Sequence, residues 1–199
     1  MRRSIVHDLP DWPGWDQFLE MFENVEHSPY PEDSRKYGTV TFETGCRKAE
    51  VVLLKPSMFK FNEEAIVGRN IPVLKKGRRA TREIVIKLDE KNPLGYDLLE
   101  YLQNCNTKYL LPGLTPFTRA VQPWRHVSVK TVYNRITEIH PELWPHALRG
   151  YRASMFVYER EFTVQQLVSW FDWSSADMAI HYTKTRDMAE SMGIKNVPR

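Results

Sequence analysis

The sequence predicts an α+β domain that is mainly α, with a small three-stranded antiparallel sheet. Three observations carry this. Apolar residues recur at helical spacing, as with Trp15, Phe18, Leu19 and Phe22 within residues 14–25. Helix-opening signals stand where such segments begin, as in the capping box Thr163-Val-Gln-Gln166. One stretch, residues 57–88, changes to short apolar runs around a Lys-Gly turn, the pattern of strands and a hairpin.

Taken in order, residues 14–25 give a first helix, and Pro29 and Pro31 end that region. A second helix is expected over 33–54, carrying Thr44 to Glu50 near its middle or end. Phe59, Phe61, Ile66, Val67, Ile71-Pro-Val-Leu74 and Ile84-Val-Ile86 then supply the three strands, with a basic hairpin at 75–81. Residues 94–104 read as a helix. Residues 105–125, with three prolines and several aromatics, read as a loop. Ser128 is placed to N-cap a helix with Val129, Val132, Ile136 and Ile139 on one face. Pro145 suits the first position of the next helix. The Thr163 box opens a helix with Leu167, Val168 and Phe171 inside, and Ser174-Ser-Ala-Asp177 caps a last helix holding Tyr182. No repeat and no internal domain boundary interrupts the 199 residues.

Composition narrows the function classes. Apolar residues make up 42% of the chain and charged ones 27%, enough for a core under a charged surface. No run of about 18 apolar residues exists, so no membrane span is expected. The start, Met1-Arg-Arg-Ser-Ile-Val-His-Asp, lacks an apolar signal core. Cys46 and Cys105 show no zinc-type spacing, which points to a reducing cytoplasm and no metal. The net charge of +3 is unevenly placed. Residues 4–34 hold eight acids and no Lys or Arg, whereas residues 101–137 hold no acid at all. Residues 75–87 hold six basic residues against Glu83 alone. An acidic face and a basic face suit a protein that binds a polyanion.

Several residues stand out for chemistry. His146 and Arg149 lie three apart on a predicted helix and project from one face. Singly, each candidate is commonplace: a helical arginine is usually solvated, Trp173 would suit a core, and Tyr182 would pack a terminal helix. Their conjunction is not. Thr44-Gly-Cys-Arg47-Lys-Ala-Glu50-Val-Val-Leu-Leu, the basic hairpin, Pro145-His146-Ala-Leu-Arg149, and Trp173-Ser-Ser with Tyr182 nine residues later come in fixed order. Over roughly residues 35–185 this series resembles the catalytic domain of the tyrosine recombinase (phage integrase) family. The Thr44 segment resembles the family's first arginine box, and the hairpin stands where the family keeps a catalytic lysine. Trp173 stands where many members have His and some have Trp. The chain departs from the pattern at Gly150-Tyr151, where many members have His-Thr.

The resemblance implies a site-specific recombinase or integrase that breaks and rejoins DNA through a 3′-phosphotyrosyl intermediate, without metal or cofactor. It implies Tyr182 as nucleophile and Arg47, Lys76, His146, Arg149 and Trp173 as the other catalytic groups, with Glu50 and Lys75 in support. Lys75 and Lys76 both fit the general acid; the Lys-Gly step favours Lys76. The physics agrees. Guanidinium forks bind phosphoryl oxygens and stay charged, and a preorganised donor is worth ~2.7–4 kcal/mol in a transition state. The Trp173 indole donates only, so it binds an oxygen and is no base. His146 assists proton movement or holds an oxygen. Arg78, Arg79, Arg82, Arg119, Arg125 and Lys130 are expected on the DNA backbone. The implied partners are double-stranded DNA and further protomers in a synaptic complex, the chain being a monomer when free of DNA. A mobile element, viral or plasmid, is the implied setting. The expected organisation is one catalytic domain: an acidic helical region at 1–34, a core at 35–185 and a tail at 186–199, without the family's N-terminal DNA-clamping domain. Two rivals stand beside this: a type IB topoisomerase, and a non-catalytic helix-turn-helix module at residues 163–182.

The general acid gives the first prediction. The 5′-oxygen leaves as an alkoxide whose conjugate acid is as weak as water, pKa ~15.7, whereas a thiol of pKa ~8.5 leaves unaided. Lys76→Ala is expected to be severely slow on normal DNA and near the unmutated rate on a 5′-bridging thio substrate. Arg47→Ala and Arg149→Ala are expected to be slow on both. Rescue of Lys75→Ala instead would exchange the two lysines' roles.

Overall fold

The computed structural model describes residues 12–23, 25, 28–75, 78–115, 118 and 120–191. The elements run α1 (Trp15–Glu23), α2 (Pro31–Thr44), α3 (Lys48–Val51), β1 (Phe59–Phe61), β2 (Ala65–Lys75), β3 (Arg78–Lys87), α4 (Pro93–Gln103), β4 (Pro112–Leu114), β5 (Val121–His126), α5 (Val129–Thr137), α6 (Pro145–Arg160), α7 (Val164–Phe171) and α8 (Asp177–Ser191). The expected mainly helical fold with one three-stranded antiparallel sheet is present, in the order β1-β2-β3.

Helix α2 is the centre. It contacts α4, α5 and α6, and nine of its residues are buried, Tyr37 to Thr44 among them. Helix α1 buries Phe18, Met21 and Phe22, with Phe22 against Gly38 and Phe18 against Phe42 of α2. An aromatic cluster closes this joint: Phe18 lies 4.6 Å from Phe42 and 5.5 Å from Tyr151, centroid to centroid. Each fully buried ring of this kind contributes about 1.5–3 kcal/mol by leaving water. The acidic first helix is therefore part of the core on its apolar side.

The long helix expected over 33–54 is two helices. Gly45, at φ 54°, ends α2 in the left-handed conformation, which only glycine takes freely. A Cβ there would lie 2.6 Å from the Trp170 ring. The chain restarts at Arg47, which N-caps the four-residue α3. The loop expected over 105–125 is also corrected: it contains β4 and β5, a two-stranded antiparallel ribbon. Both strands carry a proline, at Pro112 and Pro123, and β4 has three residues, too few for an alternation to show.

Three further helix signals hold. Ser128 Oγ accepts the Thr131 N–H at 3.0 Å. Pro145 opens α6. Thr163 and Gln166 form the capping box, with Gln166 Oε1 accepting the Thr163 N–H at 2.8 Å.

Behind the helices sits an ion pair that the sequence did not announce. Arg152 donates to Glu43 at 3.1 Å and 2.9 Å, and Asn92 Nδ2 donates to Glu43 at 3.1 Å. Both charged side chains are fully buried. Burial pushes the Glu43 carboxyl up, against the pull of Arg152. Removing one member leaves an uncompensated buried charge. Arg152→Ala is therefore expected to lower unfolding free energy by about 3–5 kcal/mol, read by urea denaturation. The double change Glu43→Leu, Arg152→Met is expected to recover most of the loss; no recovery would deny that the unpaired charge is the cause.

Candidate active site

Three chain breaks build the site. The first is the Gly45 turn. Past it, Arg47 caps α3, and Glu50 answers: its carboxylate accepts the Arg47 N–H at 2.8 Å and the Arg47 Nη1 at 2.8 Å. Glu50 also accepts the Leu74 N–H at 3.0 Å, which ties the end of β2 to α3. The residues after Leu74 are Lys75 and Lys76, so one carboxylate fixes both Arg47 and the root of the basic hairpin. Burial would raise the Glu50 pKa; the amides of Arg47 and Leu74 and the Arg47 guanidinium outweigh it and hold it below the usual value. Arg47 remains 38% exposed while Glu50 is 1% exposed, so the guanidinium reaches outward from a buried anchor.

The second is the start of α6. Pro145 sets the first turn, and His146 and Arg149 follow on one face. Arg149 is buried. Its Nη1 donates to the Gly45 carbonyl and its Nη2 to the Phe171 carbonyl at 3.2 Å. Burial, then the charges of Arg82 and Arg47, pull its pKa down to about 9, so it is still cationic at neutral pH. His146 is half-buried. Burial, then Arg149 and Arg47, lower its pKa, which leaves a neutral imidazole at pH 7.

The third is the turn between α7 and α8. Asp172, at φ 49°, ends α7 in the left-handed conformation and sends the chain to Trp173. The Trp173 ring stacks on Phe171 at 4.7 Å and on Tyr182 at 5.8 Å, with planes 5° apart in the second pair. The Arg149 guanidinium lies 6.0 Å from the Trp173 ring. Burial pushes the Tyr182 phenol up to about 12, with Arg149 opposing.

The structure thus brings Arg47, Glu50, His146, Arg149, Trp173 and Tyr182 to one place. Lys76 and Arg119 lie outside the described residues, as do the side chains of Lys75, Arg78 and Arg79. Arg125 and Lys130 are exposed. Arg82 is a correction. It is 6% exposed, and its guanidinium donates to the Trp170 carbonyl at 2.5 Å and the Thr44 carbonyl at 2.7 Å. It bolts β3 to the ends of α2 and α7 and does not face solvent. The signal was available: Arg82 shares parity with Ile84 and Ile86, the buried face of β3. Among the described residues no cluster of His, Cys, Asp and Glu could hold a metal ion, and no helix is long and apolar enough to cross a membrane.

Chemically, the arrangement gathers two guanidiniums that can meet an anion, a neutral imidazole that can take a proton, and an indole stacked on a phenol. Solved structures share this architecture. XerH site-specific recombinase in a post-cleavage complex with its difH substrate aligns with TM-score 0.63 and 16% identity over 96% of this chain and 55% of that one. XerA recombinase aligns with TM-score 0.61 and 18% identity over 96% and 66%. A lambda integrase dimer on a COC′ core site aligns with TM-score 0.59 and 14% identity over 95% and 50%. The fold is that of the tyrosine recombinases. The chain spans about half the length of the XerH and lambda integrase chains it matches. No family model matches the sequence, and no curated protein matches it significantly. The tyrosine-recombinase fold thus rests on the path of the backbone, with few identities to support it.

The buried phenol makes a pH prediction. A group whose pKa rises from ~10 unfolded to about 12 folded stabilises fully below the first value. That contribution is lost as pH climbs through the second. Tyr101 is likewise raised to about 12, so both residues steepen the alkaline decline. Denaturation midpoints taken across this window are expected to fall less steeply in Tyr182→Phe than in the unmutated chain. Equal slopes would place the phenol in water.

Proposed function

We propose that this chain supplies the catalytic core of a site-specific DNA recombinase or integrase, within residues 35–185. The observation that supports it best is the convergence on Arg149. Its guanidinium bridges the turn before Arg47 and the end of α7, and lies against Trp173, on which Tyr182 stacks.

In this reading the scissile phosphate enters between Arg47 and Arg149. Charge that builds on its oxygens in the pentacoordinate state meets both guanidiniums and the Trp173 indole N–H. Tyr182 Oη attacks phosphorus, the 3′-phosphotyrosyl bond forms, and the 5′-oxygen departs. The proton leaving the phenol passes to the neutral His146, and the leaving oxygen takes a proton from Lys76 or Lys75. The ester keeps the energy of the broken bond, so the 5′-hydroxyl of another strand reseals it with neither ATP nor metal. Further protomers on double-stranded DNA would supply that strand. Burial raises the phenol pKa and keeps Tyr182 protonated at neutral pH, so attack has to be accompanied by loss of that proton.

A nicked suicide substrate tests this. Incubated with the protein in excess EDTA, it is expected to give a covalent adduct on a denaturing gel, mapping to Tyr182. Tyr182→Phe is expected to lose the adduct and keep DNA binding, since one hydroxyl is removed. An adduct at Tyr151 or Tyr158, or one that requires magnesium, would overturn the assignment. DNA binding with no adduct would favour the helix-turn-helix reading, and supercoil relaxation without pairing of sites the topoisomerase reading.

A further inference from the structure

The β4–β5 ribbon carries a feature that the proposed chemistry leaves unused. Pro112 pairs with His126, yet the next residue of β4, Gly113, pairs with Gln122. One step on β4 thus spans four on β5, and Pro123, Trp124 and Arg125 arch out of the ladder. A bulge of this kind re-aims the side chains at its crest. The base of the arch is fixed, because the Lys108 N–H donates to the Pro123 carbonyl at 2.9 Å. At the crest stands Trp124, 77% exposed, more open than any other large apolar side chain described. A single exposed apolar residue is ordinary; a tryptophan lifted out of its ladder on an anchored arch is not.

Its surroundings indicate the occupant. The whole segment 101–137 contains no acid. Lys55 and Lys108 flank the Tyr109 ring at 5.9 Å and 5.6 Å, and that ring meets His126 edge-on at 5.3 Å. The Leu110 N–H donates to the Leu54 carbonyl at 2.9 Å, just past α3, and Lys48 of α3 lies 5.6 Å from the Tyr133 ring of α5. The ribbon is therefore rooted against the segment that follows α3, the helix that Arg47 caps. Basic side chains there would follow a phosphate backbone. A rigid aromatic ring among them has a natural counterpart on that polyanion, the π-face of a base.

We propose that Trp124 stacks on a nucleobase that bound DNA presents to the arch, beside the site of cleavage. This rests on the recombinase reading above and adds to it a residue that senses an unstacked base. In an intact duplex the bases stack on one another, so the contact requires a step opened by bending or strand separation. The indole suits the task, since it brings a large ring with only two side-chain torsions to order.

The test uses a paired duplex and the same duplex with a short central mismatch bubble containing 2-aminopurine. The unmutated protein is expected to bind the bubble more tightly and to quench the 2-aminopurine. Trp124→Ala is expected to lose the quenching and to bind the bubble about tenfold or more weakly, with Trp124→Phe restoring most of both. Because a neutral ring displaces no counterion, the salt slope of Trp124→Ala should match the unmutated one, whereas Arg125→Ala should lower it by about one. Thermal unfolding should not change, as the ring is in solvent. Unaltered quenching and affinity in Trp124→Ala, with adduct formation intact in the unmutated chain, would overturn this inference alone. A weakening equal on both DNAs without a change in quenching would place the ring on sugar and phosphate, and would overturn stacking. Self-association lost at unchanged DNA affinity would make the arch a protein contact. Failure of the unmutated chain to bind either DNA would remove this inference together with the recombinase reading.

Discussion

Two buried guanidiniums hold the ends of two helices together, and the rest of the site depends on that joint. Helix α2 ends in the carbonyls of Thr44 and Gly45, and α7 in those of Trp170 and Phe171. The last carbonyls of a helix have no partner within it and carry the negative end of its dipole. Arg82 takes Thr44 and Trp170, and Arg149 takes Gly45 and Phe171. Each orphan carbonyl gains a donor, and each cation gains partial negative charge without a full carboxylate. Both turns that follow, at Gly45 and Asp172, are left-handed, so Arg47 and Trp173 are launched from geometries fixed by the same joint.

The joint leaves the site under-neutralised. Carbonyl dipoles satisfy the hydrogen bonds of Arg149 but not its charge; burial first, and then repulsion from Arg82 and Arg47, bring its pKa down to about 9. Burial, and then Arg149 and Arg47, lower the His146 pKa in the same way. The same positive charge would lower the Tyr182 phenol, yet burial outweighs the pull of Arg149 and its pKa rises to about 12. An anion entering between the arginines would relieve the repulsion that burial has concentrated there. Glu50 limits this without cancelling it: its carboxylate is spent on Arg47 and on the Leu74 amide, at the edge of the cluster.

Much of this was legible in the sequence where the signal is local. Caps at Ser128 and Thr163, Pro145 at a helix start, and the spacing of His146 and Arg149 are read within a few residues, and each holds. The apolar runs of 57–88 gave the sheet for the same reason. Three features were not read. The break at Gly45 depends on Trp170 and Phe171 closing over a glycine with no Cβ, a contact across more than a hundred residues. The Glu43–Arg152 pair spans 109 residues and joins two charges that look like ordinary helix surface. The arch at Trp124 lies in a proline-bearing stretch whose strands are too short to alternate. Arg82 differs from these, since strand parity placed it inward while the basic run around it suggested a solvated face.

The three buried arginines separate structure from chemistry by their partners. Arg152 is matched by a buried carboxylate, Glu43, and by Asn92, so its charge is compensated and it has little to offer a ligand. Arg82 is surrounded by protein on all sides, with carbonyls at both Nη atoms and the Trp170 ring 5.0 Å away. Arg149 alone of the three stands next to a partly open cation, Arg47, a half-buried indole and a half-buried phenol. Burying a charge is costly unless something compensates it, and Arg149, unlike Arg152, has no carboxylate of its own among the described residues. Where that compensation is missing is where the protein can still gain by binding an anion. Of the two arginines held by carbonyls, Arg149 is the one beside the partly open Arg47, so the anion that the proposed function requires would gain most there.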